Sequence, residues 1–354
     1  MNDSLKRNTF IDISKGVAIF LMLWGHCIQY CGGSNYDFFG NLIFKAIYSF
    51  HMPLFALISG YLFFFSFSKR DLKELLTIRL KSLLKPIIFC SVLHFLIFNV
   101  LLELKNGNFR LFFTGEWTQY LSSLWFLWSI LAASLSIAII YKKCENIIGR
   151  LVLLIVFMAF VGALPNGTLN QYIFPFFTVG FLYAKYKNII PKYVTYLKYL
   201  TLPLFPVMLS FYERKHYIYT SGLVSPEFST KEMLGINLFR WAIGFVGSVF
   251  ILILLNWIHI LFSNKLKINL FSICLETLGK YSLAFYALSV PLLSSYLPII
   301  FPNILSLFKF PNILVNNFYI YTFGVSLFMA LFYSFAIFLV IKLFEKIKIY
   351  SVFF

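Results

Sequence analysis

Ten long runs of apolar residues, separated by short polar segments, follow one another along the 354-residue chain. They cover residues 11–31, 43–67, 86–104, 121–141, 150–164, 171–185, 199–212, 234–262, 281–301 and 318–341. About 20 apolar residues in a helix span the hydrocarbon core of a bilayer, and most of the runs approach or exceed that length. They are continuous rather than alternating, which excludes an outer-membrane barrel. The sequence therefore predicts an all-α, polytopic membrane helix bundle of about ten transmembrane helices, forming one domain over residues 1–354.

The charged residues support this class and predict an orientation. The chain is 60% hydrophobic and only 12% charged, unlike a soluble globular protein. If the N-terminus is inside, the inner segments carry most of the 30 Lys and Arg residues, which predicts that both termini are cytoplasmic. The net charge of +17 is spread over short blocks rather than one basic face, which argues against nucleic-acid binding. The five Cys show no metal-ligand spacing, so neither a metal site nor a disulfide framework is predicted.

The first apolar run contains Asp12, Lys15 and His26, which are costly groups inside a membrane. At 100° per residue, Lys15 and His26 lie within about 20° of each other, with His26 about 16 Å further along the helix. Asp12 lies about 40° from His26, so all three share one polar stripe. Asp12 and Lys15 could simply pair at the cytoplasmic interface. His26 is too deep for that role, which leaves a proton-transfer site or a satisfied structural histidine.

The second run supplies His51, Ser59 and Tyr61 as candidate substrate-binding residues. His51 is expected near the outer end of its helix, at a depth similar to that of His26, so the two imidazoles could face one site. Imidazole suits a group that takes and returns a proton near neutral pH. Ser59 and Gly60 are equally well explained by close helix packing.

Three further positions are candidates with simpler alternatives. Arg79 and Lys81 lie in a basic cytoplasmic segment and could clamp the phosphates of a donor, although orientation and lipid attraction also explain them. Trp125 is either a substrate-binding residue or part of the interfacial aromatic belt. Arg240 either snorkels to the interface or binds an anionic or sugar group.

Five segments between about residues 7 and 340 match, in sequence and in order, the motifs of one known family. They are IDISKGVAIFLMLWGH, FHMPLFALISGYLF, IRLKSLLKP, LWFL and LGKYSLAFY. Together they resemble the integral-membrane acyltransferase 3 family, and most closely its fucose 4-O-acetylase-like branch. The family often has Arg where this chain has Lys15, a second Arg where Ser82 stands, and His where Ser289 stands.

This resemblance implies an O-acetyltransferase of a bacterial cytoplasmic (inner) membrane that moves an acyl group, usually acetyl, from acyl-CoA to a carbohydrate hydroxyl. Acetyl-CoA is then a donor substrate, and no permanently bound cofactor is expected. The acceptor would be O-antigen, capsule or exopolysaccharide, in some cases lipid-linked, and membrane lipids would surround the protein. The resemblance also implies that His26 is essential.

Two mechanisms and two other functions remain open on the sequence alone. His26 could act as a general base, with Asp12 and Lys15 setting the electrostatics, or it could carry the acyl group covalently. Intramembrane charges and aromatic cavities also fit a transporter or flippase for a glycan or lipid-linked sugar. A glycan polymerase is the third alternative, although its expected large outer loop is only modest here.

Overall fold

The computed structural model describes residues 8–32, 36–106, 121–163, 166–263, 270–290 and 317–354. Within these ranges the regular elements are helices, and no strand is present. The main helices are α1 (Thr9–Tyr30), α2 (Leu42–Lys69), α3 (Leu72–Asn106), α4 (Trp125–Lys143), α5 (Ile147–Gly162), α6 (Gly167–Tyr186), α7 (Thr201–Ser210), α8 (Thr230–Ser263), α9 (Leu270–Lys280), α10 (Ser282–Ser289) and α11 (Leu327–Lys346). The short elements are helical turns at Lys192–Tyr196, Ile218–Ser221 and Tyr350–Phe353, 3₁₀ turns at Phe38–Gly40, Leu197–Leu200 and Arg214–His216, and a π-helical segment, Ile320–Ser326, leading into α11.

The described ranges confirm the all-helical prediction and contain six helices long and apolar enough to cross a membrane. These are Thr9–Tyr30, Leu42–Lys69, Leu72–Ile97, Trp125–Lys143, Thr230–Ile260 and Ile320–Lys346. The predicted spans 150–164 and 199–212 coincide with shorter apolar helices, Ile147–Gly162 and Leu197–Ser210. The predicted span 281–301 is described only as far as residue 290. The total of ten spans and the cytoplasmic termini therefore stay predictions.

Helix α3 differs from the sequence prediction at its beginning. Residues 68–85 were expected to form a surface segment before the third span, whereas the structure continues one helix from Leu72 to Asn106. The segment is rich in Leu, Lys and Arg, which favour helix strongly. Thirty-five residues in a helix extend for about 52 Å, well beyond the hydrocarbon core of about 30 Å. The basic beginning of α3 therefore has room to project from the membrane while its later part is embedded.

Helix α2 lies at the centre of the bundle and packs against α1, α4, α6 and α8. Two helix crossings are close because glycines face backbone carbonyls. A methyl group added at Gly60 of α2 would overlap the carbonyl of Phe177 in α6, and one added at Gly180 of α6 would overlap that of Leu57. Helices α1 and α9 meet in the same reciprocal way, and small residues are what such close contacts require.

The outer helices expose large apolar side chains. In α5, Ile147 and Ile155 are each 71% exposed, and in α11 Phe328 and Phe335 are 63% and 60% exposed. In water such contiguous apolar surface would be a liability, whereas lipid tails solvate it. The buried polar side chains consequently stand out, because the interior of the bundle is where polar groups of a membrane protein are placed.

Candidate active site

His26 and Tyr48 join the first two helices through a defined hydrogen-bond chain. The Tyr48 hydroxyl donates its hydrogen to Gln29 Oε1 over 3.0 Å, and the His26 Nδ1 atom lies 2.9 Å from the same hydroxyl oxygen. A phenol has one hydrogen, so His26 Nδ1 must donate to Tyr48. The neutral imidazole therefore carries its lone pair on Nε2, which is the arrangement that a general base requires.

The His26 ring is only partly buried although protein surrounds it. It stacks on Tyr30 at 5.8 Å and meets the edge of Tyr48 at 5.9 Å. Nε2 forms no hydrogen bond to a residue in the described ranges, and it is not among their fully buried polar atoms. Nε2 is thus accessible and free of hydrogen bonds to the described residues.

Local sequence explains why α1 presents His26 in this direction. Trp24 precedes it by two residues, which is about 200° around the helix. The Trp24 indole donates to the carbonyl of Thr322 and to the Ser326 hydroxyl, each over 3.2 Å, and so fixes the opposite side of α1 to the π-helical segment. Gly25 has no side chain, and the ring of Tyr48 occupies the space where one would be. Both contacts turn His26 toward α2.

His51 joins this site through Tyr48. Its ring lies 4.8 Å from the Tyr48 ring, in an edge-to-face arrangement, and only 3% of the residue is exposed. His51 Nδ1 lies 2.8 Å from the Ile47 carbonyl, which can only accept, so the hydrogen is on Nδ1. The structure therefore brings the two predicted histidines to one site, with a tyrosine between them.

Aromatic side chains from distant parts of the chain line the space beside the histidines. Tyr217 lies 5.3 Å from Tyr48 and 5.1 Å from Tyr219, and Tyr219 lies 5.9 Å from Trp125. Tyr286 lies beside Trp125, because its hydroxyl oxygen accepts the backbone N–H of the next residue, Phe126, over 3.3 Å. We call the space bordered by His26, Tyr30, Tyr48, His51, Trp125, Tyr217, Tyr219 and Tyr286 the aromatic chamber.

Tyr219 keeps exposed surface although several phenols lie near its hydroxyl. Half of the Tyr219 side chain is exposed. Nevertheless, burial raises the pKa of its hydroxyl well above the usual value, and the neighbouring phenols of Tyr217, Tyr286 and Tyr30 add to the rise. Tyr219 therefore combines free surface with close contacts to the neighbouring aromatic rings. Trp125, predicted as a substrate contact, packs against the Tyr219 ring.

Asp12 and Lys15 lie at the opposite end of α1. They form an ion pair of 2.9 Å, and Asp12 is 3% exposed. Lys15 is about 16 Å from His26 along the helix axis, as the residue spacing predicts. The pair lies where α1 crosses α9, because an added methyl group at Gly279 would overlap the Asp12 carbonyl. Asp12 and Lys15 therefore do not contact His26.

Arg79 belongs to a cluster of cations lying on aromatic rings. Its guanidinium lies 4.7 Å above the Phe63 ring, and Lys142 lies 4.5 Å above Phe67. Arg150 and Lys185 approach the Tyr141 ring at 4.8 and 5.2 Å. The Phe181 ring connects Phe67 with Tyr141 at 5.2 and 5.0 Å. We call this cluster, formed by Arg79, Lys142, Arg150 and Lys185 on Phe63, Phe67, Tyr141 and Phe181, the basic platform.

Lys81 is not part of the basic platform. It follows Arg79 by two residues, which places it about 200° around α3, and it is exposed. The cations that accompany Arg79 come instead from α4, α5 and α6. They were missed because each lies in a segment whose positive charge the orientation of the chain already explained.

The remaining predicted residues lie elsewhere. Tyr61 is ten residues after His51, about 15 Å along α2, and its hydroxyl accepts from Lys187 over 3.3 Å. Ser59 lies about 12 Å from His51 in the same direction and is partly exposed. Arg240 is buried in α8, where its guanidinium binds the loop that follows α7 rather than entering the aromatic chamber.

Sequence reasoning did not select several residues that form the aromatic chamber or bind its members. Gln29 and Tyr30 follow His26 by three and four residues, so the helix repeat placed both on its face and could have identified them. Tyr48 precedes His51 by three residues and was detectable in the same way. Nothing in the sequence indicated Tyr217 and Tyr219, because their approach depends on how a loop folds over the bundle.

Comparison with known proteins gives a family. Residues 8–339 match the family described as an acyltransferase domain. The nodulation protein NolL of Mesorhizobium japonicum is 30% identical over 182 residues, covering 51% of this chain and 48% of that protein. NolL of Sinorhizobium fredii is 31% identical over 186 residues, covering 51% and 49%. The chain thus matches about half the length of these relatives, and no solved structure matches it.

Proposed function

The chain belongs to the acyltransferase 3 family, and from this premise we propose that it transfers an acetyl group from acetyl-CoA to a hydroxyl of a cell-surface carbohydrate. The observation that supports this most directly is the free lone pair of His26 Nε2 inside the aromatic chamber. A base, an enclosed space and hydroxyl donors are what acyl transfer to an alcohol needs.

In the proposed reaction His26 acts as a general base. Nε2 takes the proton of the sugar hydroxyl while the hydroxyl oxygen attacks the thioester carbonyl. The C–S bond then breaks, and the imidazolium returns its proton to the departing thiolate, which leaves as a thiol. The Nδ1–H of the imidazolium continues to donate to Tyr48, and this bond becomes stronger when the ring is charged.

Tyr286 is our candidate for stabilising the oxygen that becomes negative during the attack. Its hydroxyl oxygen already accepts the Phe126 N–H, so its own hydrogen is left to donate toward the chamber. A donor held in place before the reaction needs no reorganisation, which is why such groups contribute strongly to catalysis. His51, with its lone pair on Nε2, would position the acceptor hydroxyl.

The rings of Tyr217, Tyr219 and Trp125 would bind the apolar faces of the acceptor sugar. Aromatic side chains offer large rigid surfaces together with polar edges, and their hydroxyls can accept or donate hydrogen bonds to sugar hydroxyls. Three such rings, of which Tyr219 lies within 6 Å of the other two, form a surface of the size of a monosaccharide rather than of an ion.

The basic platform is the candidate site for the phosphates of the donor. Arg79 and its neighbours supply cations that bind phosphate groups, and the rings below them can stack on a purine. Phe63 follows His51 by 12 residues on α2, so about 18 Å along the helix separates the platform from the chamber. This separation suits a donor whose phosphate-bearing end is joined to the acyl group by a long, narrow chain. Lys81 and the Asp12–Lys15 pair stay candidates for further donor contacts.

The predicted orientation places the basic platform on the cytoplasmic side and the aromatic chamber toward the outer side of a bacterial inner membrane. The platform contains the cations that the orientation requires inside, and cytoplasm is where acyl-CoA is found. The acceptor, free or lipid-linked, would then be modified from the outer side, and membrane lipids would surround the apolar helices.

The test is transfer of labelled acetyl from acetyl-CoA to glycan by purified protein in lipid discs. His26→Gln should lower kcat by about 10²–10⁴-fold, the range that general bases contribute. His259→Gln is the matched control, since His259 lies on α8 beside Phe10, outside the chamber, and should retain wild-type rates within about twofold. Full activity of His26→Gln would exclude the proposed base. Wild-type protein that neither binds nor consumes acetyl-CoA would refute the enzyme and favour transport.

A further inference from the structure

Arg240 is a buried arginine, and four of its five hydrogen bonds go to a single loop. The residue is 1% exposed. Nε donates to the His216 carbonyl over 2.9 Å, and Nη2 donates to the Lys215 carbonyl over 2.7 Å and to the Ser221 hydroxyl. Nη1 donates to the Gly222 carbonyl and, over 2.8 Å, to Asn237 Oδ1. These contacts use all five hydrogens of the guanidinium.

None of these five acceptors is a carboxylate. A charge without an opposite charge is expensive to bury, and backbone carbonyl dipoles must compensate for it. An apolar residue would fill a position in α8 at lower cost. The planar fork of arginine, in contrast, can bind several acceptors in a fixed geometry at once. The loop conformation is therefore what this arginine secures.

The anchors of the loop enclose the two tyrosines of the aromatic chamber. Lys215 and His216 precede Tyr217, and Ser221 and Gly222 follow Tyr219. Between these anchors Tyr217 reaches the Tyr48 ring, which binds His26, and Tyr219 reaches Trp125. Asn237 adds a further anchor by donating to the Leu223 carbonyl over 2.8 Å. Displacing the anchors would displace both rings while leaving His26 and α2 in place.

We propose that Arg240 is a positioning residue that determines acceptor binding by clamping the loop of Tyr217 and Tyr219 over the aromatic chamber. The predicted direct contact of Arg240 with a sugar or anion would need a free donor, and all five hydrogens of the guanidinium are engaged by the protein. The acceptor class remains a carbohydrate ring that stacks on tyrosine. This inference rests on the proposed function.

The distinguishing measurement is the KM of each substrate in Arg240→Lys. Lysine keeps the charge but cannot form the five-bond fork. The variant should raise the acceptor KM about tenfold or more, because the loop of Tyr217 and Tyr219 is no longer held in place. The acetyl-CoA KM should stay within about twofold. Arg214→Lys is the matched control: Arg214 is exposed in the same loop, over the Phe39 ring at 4.9 Å, and both KM values should be unchanged.

A second variant protects the test against a folding defect. Ser221→Ala removes one acceptor of Arg240 and leaves the arginine in place, so it should raise the acceptor KM by a smaller factor. Hydrogen exchange of backbone amides in residues 213–223 should become faster in Arg240→Lys, and this readout needs no activity. Unchanged acceptor KM and unchanged exchange would overturn the clamp, as would equal changes in both KM values. Absence of acetyl transfer by wild-type protein would instead overturn the proposed function.

Discussion

Replacing Tyr48 with Phe removes one hydroxyl from the active site and keeps the ring. The contacts of the ring with His51 at 4.8 Å and with Tyr217 at 5.3 Å need no hydroxyl, so the chamber wall should stay in place. The change leaves His26 Nδ1–H and Gln29 Oε1 without the group that joins them. Tyr48→Phe therefore tests whether the hydrogen bond to His26 supports the proposed base.

The expected effect follows from the charge that His26 acquires during the reaction. A hydrogen bond to a charged group contributes about 1.5–3 kcal/mol, compared with about 1 kcal/mol for a neutral one. Taking about 2 kcal/mol as the loss in the transition state, kcat should fall about 30-fold, at 1.36 kcal/mol for each factor of ten. Neither substrate is proposed to contact the Tyr48 hydroxyl, so both KM values should stay within about twofold.

The assay is steady-state acetyl transfer with each substrate varied in turn. Tyr36→Phe is the matched control, because its hydroxyl accepts from Asn41 Nδ2 over 2.9 Å near the beginning of α2, away from the aromatic chamber. It should leave kcat within about twofold. A Tyr48→Phe enzyme with wild-type kcat, or one in which only the acceptor KM rises, would refute the assignment of Nε2 as the base through this hydrogen bond.

Three further predictions concern packing, donor binding and pH. Gly60→Ala should lower thermal stability by about 1–3 kcal/mol through overpacking against α6, whereas Gly235→Ala, whose added methyl meets no atom within 4 Å, should be neutral or stabilising in the same melting assay. Arg79→Ala should raise the acetyl-CoA KM about tenfold without changing the acceptor KM, and Lys198→Ala, which removes a cation lying 5.1 Å over a tyrosine ring outside the platform, should change neither. Burial lowers the pKa of His216 from 6.5 to about 4, so between these pH values the unfolded chain binds more protons than the folded one. The melting temperature should therefore fall as pH drops from 6.5 toward 4. His216→Asn should weaken that dependence.

The sequence identified the parts of the site that depend on helix geometry. His26 was identified because a histidine within an apolar run is costly in lipid and is therefore a candidate functional residue. Its distance from Lys15 along the axis follows from the rise of the helix alone. The packing alternative for Gly60 was also correct, since that residue lies at the α2–α6 crossing. Both kinds of feature were predictable from the sequence, because they depend on the geometry of one helix or on a polar side chain whose transfer into lipid costs much free energy.

Features that depend on the meeting of distant segments could not be predicted in the same way. Tyr217 is far from Tyr48 in sequence, although their rings meet in the structure. Its loop is held by Arg240, and the sequence does not reveal which groups accept hydrogen bonds from this arginine. Tyrosine is also too frequent in this chain, with 22 copies, for any one to be distinctive. Membrane orientation already explained the positive charge of Lys142 and its partners in the basic platform, so the sequence did not show that they cluster on aromatic rings.

The route between the two proposed half-sites is constrained by α2 itself. The face of α2 toward α6 is closed, because the backbones touch where Gly60 meets the carbonyl of Phe177. Ser59 lies one step around the helix from Gly60, about 80° from His51, and is partly exposed. It is placed between the basic platform and the aromatic chamber, on a side that α6 does not seal. In the proposed function, the acyl chain of the donor passes Ser59, a small residue at a position where the sequence also suggested a substrate contact.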